Sequence, residues 1–551
     1  MRESRRCTTP EWIVESNRME QTTPVRLQDP SEIPVLDAAE PRARSEQKQP
    51  KMSSEARQEV PWRALLDGSN RTSSSLQGTL RTNLAEAVLE GRIPEGTRLP
   101  STRALASLLK VARVTVSMAY DTLEAQGLIV ARGRSGHFVA MKLWGEQAST
   151  DHGSSQSTER PMWAAHLPPL PQGEKRLEKP RQWQKYRFPF VYGKVDQELF
   201  PLADWRECSR MAQATPDSGH WSYDAFDGDD RFLVEQLCTN VLPKRGISAS
   251  PDEVLITIGS QMGAFILSEL LVQPGTTVAL EDPGYTEARN LFLRRGTNIL
   301  PMAVDKDGAI TPAAIPAFSV VYLTPSHQCP TGAILTSERR LAFLNMARRH
   351  DSLIIEDDYD GQAQFRSPTV PALKAIDTTG HVIHLGSFSK VFAPGLRMGY
   401  MVADRALIDR ARHLRRLMIR HPPGNNQRAL ALFLARGHYE RLALRYRALL
   451  QERSHELAEA VRRYLPAWQF DEPQSGSALW VQGPSESYMA DVEREARKKG
   501  VLIESGESFF HAAHPPQQFA RLAYSAIDRK LIEPGIRMLA QVTWELRNNR
   551  R

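Results

Sequence analysis

A lysine and an arginine follow a short apolar run in the segment HVIHLGSFSKVFAPGLRMGY, residues 381–400. Lys390 stands in a serine-containing turn, and Arg397 follows it seven positions later. A lysine can form a Schiff base with an aldehyde cofactor, and an arginine together with a serine such as Ser387 can hold a phosphate. The spacing indicates that Lys390 either does chemistry or holds a group that does.

Residues with complementary chemistry follow other apolar runs of the chain. Gly259, Ser260 and Gln261 lie between the run VLITI and a helical pattern, where backbone N–H groups of a helix N-terminus can receive a phosphate. Tyr285 in EDPGY can stack on a flat ring, and Tyr359 in IIEDDYD can donate to a ring oxygen. Each feature alone is common in ordinary turns. Because open α/β sheets bind ligands at the carboxyl ends of their strands, together they predict one site.

Two adjacent acids, Asp357 and Asp358, are candidates to pair with a ring nitrogen. Side chains alternate between the two faces of a strand, so Asp357 shares a face with Tyr359 and Asp358 does not. The alternation favours Asp357.

The sequence around these residues has the pattern of an α/β protein. Continuous apolar runs alternate with helical patterns from residue 188 onward, which is typical of a mainly parallel sheet covered on both faces. The predicted organisation is a disordered extension over 1–61, a helical DNA-binding unit over 62–141, a flexible linker over 142–187, and an α/β domain over 188–545 whose part from about 440 is a smaller α+β unit.

The N-terminal unit has the pattern of a helix-turn-helix. Apolar residues from Leu80 to Val88 share one helical face, Gly91 ends that helix, and Ser101 can cap a second short helix. After a brief break, a third helix is predicted over about 114–126. Two helices joined by so short a turn can place the second in the major groove of DNA.

A hairpin with a cationic tip follows, in LIVARGRSGHFVA. Arg132 and Arg134 at this tip can reach phosphates or a minor groove. A generic three-helix unit with a charged loop is the alternative interpretation of the same pattern.

The segments GTRLPSTRALASLL, TVSMAYDTLEAQGL and RGRSGHFV resemble the GntR-type winged helix of bacterial repressors, from Leu76 to Ala140. One departure is Ala112, where that family usually has a serine, so a helix cap worth about 1 kcal/mol is missing and slightly weaker DNA affinity is expected. The resemblance implies that these residues face DNA: Ser101, Thr102, Arg103, Arg113, Thr115, Tyr120, and the wing from Arg132 to His137, with Arg132, Arg134, Gly136 and His137.

The segments EDPGY, TPSHQCPTG, IIEDDYD and GSFSKVFAPGLRMGY resemble fold-type I aminotransferases, most closely the MocR/GabR group of regulators, over about residues 62–545. The resemblance implies pyridoxal 5'-phosphate as cofactor and Arg521 as the residue that binds a carboxylate of the effector. The implied cofactor ligands are Lys390 as the Schiff base, Asp357 at the ring nitrogen, Tyr359 at the ring hydroxyl, Tyr285 on the ring face, and Ser260, Gln261, Ser387 and Arg397 at the phosphate.

One departure from the enzymes concerns function. Aminotransferases carry Asn-Pro-x-Gly where this chain has Cys329-Pro330-Thr331-Gly332, and a thiol is a poor replacement for the asparagine amide as a donor. We therefore expect a transcriptional regulator that senses the cofactor, or an amine that displaces Lys390, and whose shape then changes DNA binding. An active aminotransferase with an autoregulatory DNA-binding arm is the alternative. A repressor whose large domain binds no cofactor is a third, which the intact set Lys390, Asp357, Tyr359 and Arg397 disfavours.

Composition and charge are compatible with this interpretation. The 551 residues carry a formal net charge of +7, which suits a nucleic-acid partner but is weak evidence alone. The four cysteines show no metal-ligand spacing, and no apolar run has the ~18 residues of a membrane span. We expect a cytoplasmic protein without a metal or a membrane partner, and the resemblance implies a homodimer.

Overall fold

The computed structural model of the chain describes two compact units, which divide at residues 161 and 162. The small unit lies within residues 1–161 and the large unit within residues 162–551. The described residues are 62, 76–140, 166–177, 179–193, 196, 199–214, 219, 221–225, 228–361, 363–365 and 370–549. The predicted extension 1–61 and most of the unit boundary therefore lie outside the described residues.

The small unit contains three helices and a two-stranded hairpin around one core. Ser101 caps the second helix, since its Oγ accepts a hydrogen bond from the backbone N–H of Ala104 at 3.2 Å. Lys110 ends that helix in a left-handed conformation (φ 54°), which produces the short turn before the third helix. Leu84, Val116 and Leu123 are completely buried between the helices. The elements are α1 (Leu76–Leu89), α2 (Thr102–Leu109), α3 (Arg113–Ala125), β1 (Ile129–Ala131) and β2 (His137–Val139).

The large unit contains an eight-stranded sheet of order β4-β11-β10-β9-β8-β5-β6-β7. Five neighbouring strands from β10 to β6 are parallel, while β11 is antiparallel to both β10 and β4. This confirms the predicted α/β fold with a mainly parallel sheet. The strands are β4 (Val254–Thr257), β5 (Thr277–Asp282), β6 (Asn298–Asp305), β7 (Gly308–Ala309), β8 (Val320–Leu323), β9 (Leu353–Asp358), β10 (Val382–Ser387) and β11 (Gly399–Val402).

Helices cover both faces of this sheet. Alternate strand residues belong to two apolar clusters: Ile355 lies in one together with Phe292, and Ile354 lies in the other together with Phe343. Strands buried on both sides read as continuous apolar runs, which is why their positions could be predicted. The helices of this part are α4 (Leu202–Ala212), α5 (Arg231–Gln236), α6 (Ser260–Leu271), α7 (Thr286–Arg294), α8 (Ser337–His350), α9 (Arg405–Ile419) and α10 (Gly424–Ala435).

The C-terminal part is a smaller α+β arrangement that starts close to the predicted residue 440. Its three-stranded sheet has the order β12-β15-β14, and β13 pairs with β3 (Phe188–Pro189) near the start of the domain. No helix in the described part of the chain combines the length and apolarity needed to span a bilayer. The elements are α11 (His438–Tyr464), β12 (Ala478–Gln482), α12 (Met489–Lys498), β13 (Val501–Leu502), β14 (Glu504–Ser505), β15 (Phe519–Ala523) and α13 (Arg529–Asn549).

The second half of the predicted linker packs on the large unit. We call residues 171–177 and 179–187 the strap. The Lys175 ammonium donates to the carbonyl oxygens of Phe510 and Ala512, each at 3.0 Å, and Asn290 donates to the carbonyl of Lys175 at 2.6 Å. Glu174 forms an ion pair with Arg294 at 2.9 Å. The strap is thus held in place, which differs from the flexible chain that its composition favours.

Candidate functional site

The carboxyl ends of β4, β5, β9 and β10 meet at one edge of the large sheet, because these strands run in the same direction. Residues that follow them therefore face a common cleft.

Asp357 lies at the end of β9 with one carboxylate oxygen engaged and one free. The Tyr322 hydroxyl donates to Oδ2 at 2.6 Å, while buried Oδ1 has no hydrogen-bond partner among the described residues. Burial raises the pKa of Asp357 to about 6, although the hydrogen bond from Tyr322 opposes the rise. A buried carboxylate with an open acceptor is suited to a charged N–H donor.

Asp358 points to the opposite face of the sheet and is already paired. The Arg245 guanidinium contacts its carboxylate at 2.7 Å and also donates to the Ser326 hydroxyl at 2.7 Å. This buried pair explains why only Asp357 is available to a ligand.

Arg397 and the N-terminus of α6 form the second part of the cleft. Gly259 precedes α6 with φ 90°, and Arg397 Nη2 donates to the Ile258 carbonyl at 3.1 Å. A Cβ at Gly259 would lie 2.8 Å from Arg397 Nη2, so a larger residue would fill this space. A guanidinium beside open N–H groups of a helix N-terminus is an anion site.

The serines before Lys390 line the same region. Ser387 Oγ accepts from the Ser389 backbone N–H at 3.2 Å, and the buried Ser389 hydroxyl has no partner among the described residues. Sequence reasoning selected Ser387 and missed Ser389, although both stand in the same quoted segment. The hydroxyl of Ser260 lies beside Asp357. Ser260 begins α6, so the group that it can offer to an anion is its backbone N–H.

Lys390 lies between two tyrosine rings. Its Nζ is 3.1 Å from the ring centroid of Tyr192 and 5.1 Å from that of Tyr359. Burial, followed by the positive charge of Arg521, lowers its pKa well below the ordinary lysine value. A lysine amine that loses its proton readily is a nucleophile toward an aldehyde.

Two further tyrosines of the prediction lie at the cleft. The Tyr285 hydroxyl donates to Gln261 Oε1 at 2.9 Å, which joins the ends of β5 and β4. The Tyr359 ring lies 5.8 Å from the His327 ring, and burial raises the pKa of both tyrosines, so each keeps its hydroxyl proton.

Arg521, on β15, is already engaged on the other side of the cleft. Its Nε donates to Glu504 Oε2 at 2.8 Å, its guanidinium lies 4.7 Å from the Phe509 ring centroid, and its Nη1 is 3.7 Å from Cys329 Sγ. Burial raises the pKa of Cys329 to about 11, so the thiol stays protonated. Sequence reasoning missed Glu504, because its pairing opposite Arg521 depends on the register of β14 and β15.

These residues fit pyridoxal phosphate. Its ring nitrogen, phosphate and aldehyde need an open buried carboxylate oxygen, an anion site with a free hydroxyl, and a nucleophilic lysine. The free Oδ1 of Asp357, the Arg397 guanidinium together with the free hydroxyl of Ser389, and Lys390 supply the three.

On the small unit, the predicted DNA-facing residues of the helix-turn-helix are mostly exposed. Arg103 and Arg113 are exposed, and Arg113 Nε donates to Thr102 Oγ1 at 3.4 Å. Ser101 is exposed but its hydroxyl caps α2, and Thr115 is half-buried on α3. As expected, Ala112 gives α3 no side-chain cap.

Tyr120 is the exception. It is completely buried, its hydroxyl donates to the Pro100 carbonyl at 3.0 Å, and its ring contacts His137 edge-on at 5.1 Å. The structure thus corrects the prediction that Tyr120 faces DNA: it joins the segment before α2 to the wing.

The wing keeps a cationic tip. Arg132 is exposed with its guanidinium 5.0 Å from the Phe138 ring centroid, and Gly136 adopts φ 98°. His137 is half-buried against Tyr120. The side chain of Arg134 lies outside the described residues.

Three surface residues of the small unit were missed from sequence. Val114 and Met118 are 63% and 48% exposed and stand four positions apart on α3, where apolar contacts with thymine methyl groups are possible. Arg98 lies beside Gly136 of the wing. An apolar residue at helical spacing reads as core in a sequence, so only the exposure reveals Val114 and Met118.

Comparison with known proteins finds a family match for each of the two units. Residues 213–539 match the model of aminotransferase class I and II, and residues 76–139 match the model of bacterial regulatory proteins of the gntR family. The chain is 42% identical over 468 residues to the HTH-type transcriptional regulator TauR of Rhodobacter capsulatus, covering 85% of this chain and 96% of that protein. It is 31% identical over 464 residues to the probable rhizopine catabolism regulatory protein MocR of Rhizobium meliloti, covering 84% and 92%.

Among solved structures, the α-aminoadipate aminotransferase LysN of Thermus thermophilus, complexed with N-(5'-phosphopyridoxyl)-L-leucine, aligns with a TM-score of 0.62 at 26% identity. The alignment covers 70% of this chain and 98% of the enzyme. The two regulators thus match a larger share of this chain than the enzyme does. The chain belongs to the MocR-type transcriptional regulators, in which a GntR-type helix-turn-helix domain is joined to an aminotransferase class I and II domain.

Proposed function

We propose that this regulator binds operator DNA through its small unit, holds pyridoxal phosphate in the cleft of its large unit, and changes its operator affinity when an amine effector enters that cleft. The observation that carries the proposal is the free, buried Oδ1 of Asp357 in the same cleft as Lys390. An unpaired buried carboxylate is destabilising unless a ligand supplies the missing donor.

Different residues of the cleft would bind different parts of the cofactor. Asp357 would pair with the ring nitrogen, Tyr285 would cover one ring face, and Tyr359 would donate to the ring hydroxyl. Arg397, Ser387, Ser389, Gln261 and the N–H of Ser260 would hold the phosphate. When bound, the cofactor supplies an aldehyde that reacts reversibly with a primary amine, from Lys390 or from an effector.

Arg521 would bind the carboxylate of an amino-acid effector. Its Nε donates to Glu504 and its Nη1 contacts only the Cys329 thiol, a weak acceptor that an anion would replace. Cys329 stands where aminotransferases carry an asparagine, and a protonated thiol is a weak donor to the ring hydroxyl. This supports sensing over turnover, because the residues that retain the cofactor are present while a donor of the enzymes is replaced.

The proposed DNA binding has three consequences: contacts with the operator, a homodimer and a location in the cytoplasm. Arg103, Arg113 and Arg132 would contact operator phosphates and bases, and Val114 and Met118 would contact base methyl groups. A pair of helix-turn-helix units reads two half-sites, which favours a homodimer. A protein that acts on a bacterial operator acts in the cytoplasm.

The test uses the full chain with pyridoxal phosphate and a duplex selected from random DNA by repeated rounds of binding. We expect a visible absorption band that Lys390→Ala removes, a shift of this band by one class of amines, and a parallel change of operator affinity measured by fluorescence anisotropy. A band without any effect of amines on operator affinity would contradict sensing. Accumulation of keto acid over many turnovers would instead support the aminotransferase function.

A further inference from the structure

A lysine of the strap reaches the cleft that holds Lys390. Lys179 Nζ donates to the carbonyl oxygen of Tyr192, and it lies 3.8 Å from the centroid of the Trp183 ring. The ring of the same Tyr192 is the one that Lys390 Nζ contacts at 3.1 Å. Tyr192 therefore contacts the amine groups of both lysines.

The absence of a side chain at Gly193 leaves room for Lys179. A Cβ at Gly193 would lie 2.6 Å from Lys179 Nζ, so a glycine is required for the lysine to lie there. The strap is held on both sides of this position, by Lys175 on the carbonyls near Phe510 and by the pairing of β3 with β13. Lys179 is thus held at the cleft by a fixed backbone.

The charged groups beside Lys179 are Glu504 and Arg521, and we call this part of the cleft the effector side. Glu504 raises and Arg521 lowers its pKa, and with burial as the largest cause that pKa is lowered to about 8. His327 and Cys329 carry no charge at neutral pH, because burial lowers the pKa of the first to about 4 and raises that of the second to about 11.

Lys179 determines the net charge of the effector side. Arg521 and Glu504 neutralise each other across 2.8 Å. Without Lys179 the effector side has no net charge, and with it the side has one positive charge. A single anionic group is the complement of such a site.

We propose that Lys179 is a specificity-determining residue of the effector site, where its ammonium and Arg521 together bind the anionic group of the effector. This rests on the proposed function and adds a second cation to the same cleft. The strap that carries Lys179 belongs to the second compact unit.

The test compares amino acids with alkylamines of equal length on the full chain with pyridoxal phosphate. The probes are glycine, β-alanine and δ-aminovalerate, paired with ethylamine, n-propylamine and n-pentylamine, in which a methyl group replaces the carboxylate. The measured quantity is the ratio of the two affinities in each pair, taken from the shift of the visible band. In the wild type we expect at least one amino acid to bind more tightly than its alkylamine.

Lys179→Met removes the charge but keeps the length of the stem beside Trp183. We expect it to lower that ratio about 10- to 100-fold, the effect of losing one charge-assisted hydrogen bond. Lys179→Arg should restore most of the ratio. The matched control is Lys185→Met, an exposed lysine of the same strap, which should leave the ratio unchanged. Operator anisotropy with the same probes gives a second readout that does not depend on the band.

The remaining outcomes separate the inference from the proposed function. If Lys179→Met weakens each amino acid and its alkylamine equally, or changes neither, Lys179 only holds the strap and the inference is wrong while sensing stands. If no amine shifts the band or changes operator binding in the wild type, the proposed function itself fails and the inference with it.

Discussion

The functional residues of the two units differ in how far they are withdrawn from water. On the small unit Arg103, Arg113 and Arg132 are exposed. In the large unit Asp357 and Lys390 are enclosed, and burial shifts the pKa of each toward its neutral form.

The difference follows from the ligands. A DNA duplex binds at a surface, where each phosphate contact is solvated and adds to the others. A small cofactor is enclosed by the protein, and the side chains that hold it are shielded from water. Electrostatic interactions between these side chains are therefore strong and shift their pKa values. We expect substitutions on the small unit to change affinity alone, and substitutions in the cleft to change stability as well.

The largest effect is expected for Asp358→Ala. The substitution leaves the buried Arg245 guanidinium without its carboxylate partner at 2.7 Å, which lowers the free energy of unfolding by about 3–5 kcal/mol. Denaturant unfolding of the cofactor-free protein measures it. Asp409→Ala, which removes an exposed partner of Arg405, is the control and should change the value by less than about 1 kcal/mol. Equal effects of the two would contradict the structural role of Asp358.

The pH dependence of the cofactor-free protein gives the next largest effect. Asp357 has a pKa of about 6 when folded and an ordinary value of 3.8 when unfolded, so the folded state binds its proton more tightly. Its contribution is complete below pH 3.8 and is lost as the pH rises through 6, a decrease of about 3 kcal/mol. The difference in unfolding free energy between wild type and Asp357→Asn, measured from pH 4 to pH 7, isolates it. A difference that is constant with pH would show that Asp357 titrates normally.

Cofactor affinity is expected to change next. Asp357→Asn replaces a charged acceptor for the ring nitrogen by a neutral one, which weakens pyridoxal phosphate by about 10- to 100-fold. A titration followed by absorption or fluorescence measures it, with Asp409→Asn as the surface control. Unchanged affinity in Asp357→Asn would assign the free Oδ1 to another role.

Arg113→Ala on the small unit has a smaller effect. The loss of one exposed cation should weaken operator binding about 5- to 20-fold and reduce the slope of log affinity against log salt by about 1, with an unchanged melting temperature. Arg92→Ala, outside the helix-turn-helix, is the matched control. A lowered melting temperature would mean that Arg113 also supports the fold.

The smallest effect concerns the missing cap. Ala112→Ser would give α3 a side-chain acceptor and stabilise the small unit by about 0.5–1 kcal/mol. Thermal unfolding shows the change, and Ala112→Val is the control, since valine cannot cap a helix. Stabilisation by both would point to a packing effect.

The sequence was informative where position along one strand or helix decides the outcome. Asp357 could be preferred over Asp358 because strand alternation is local, and the cap of α2 by Ser101 is local as well. Glu504 and Lys179 could not be found in this way. Their roles depend on the register of β14 against β15 and on the path of the strap, and both are set by contacts between residues distant in sequence. Tyr120 was misassigned because its role was taken from the resemblance, which does not say whether a side chain is exposed, and the structure buries it completely.

The turn between β10 and β11 carries Lys390 as well as Arg397, and β11 returns antiparallel between β10 and β4. The groups proposed for the aldehyde and phosphate ends of the cofactor thus belong to a single closed loop of the sheet, whose two ends cannot separate without breaking the ladder. Arg521 and Glu504 stand on a different sheet, and Lys179 on the strap. In the proposed function, a shift of the C-terminal sheet would therefore move Arg521 and Glu504 and leave Lys390 and Arg397 in place. The proposal then gives the two ligands separate exchange rates, with the cofactor as the slower of the two.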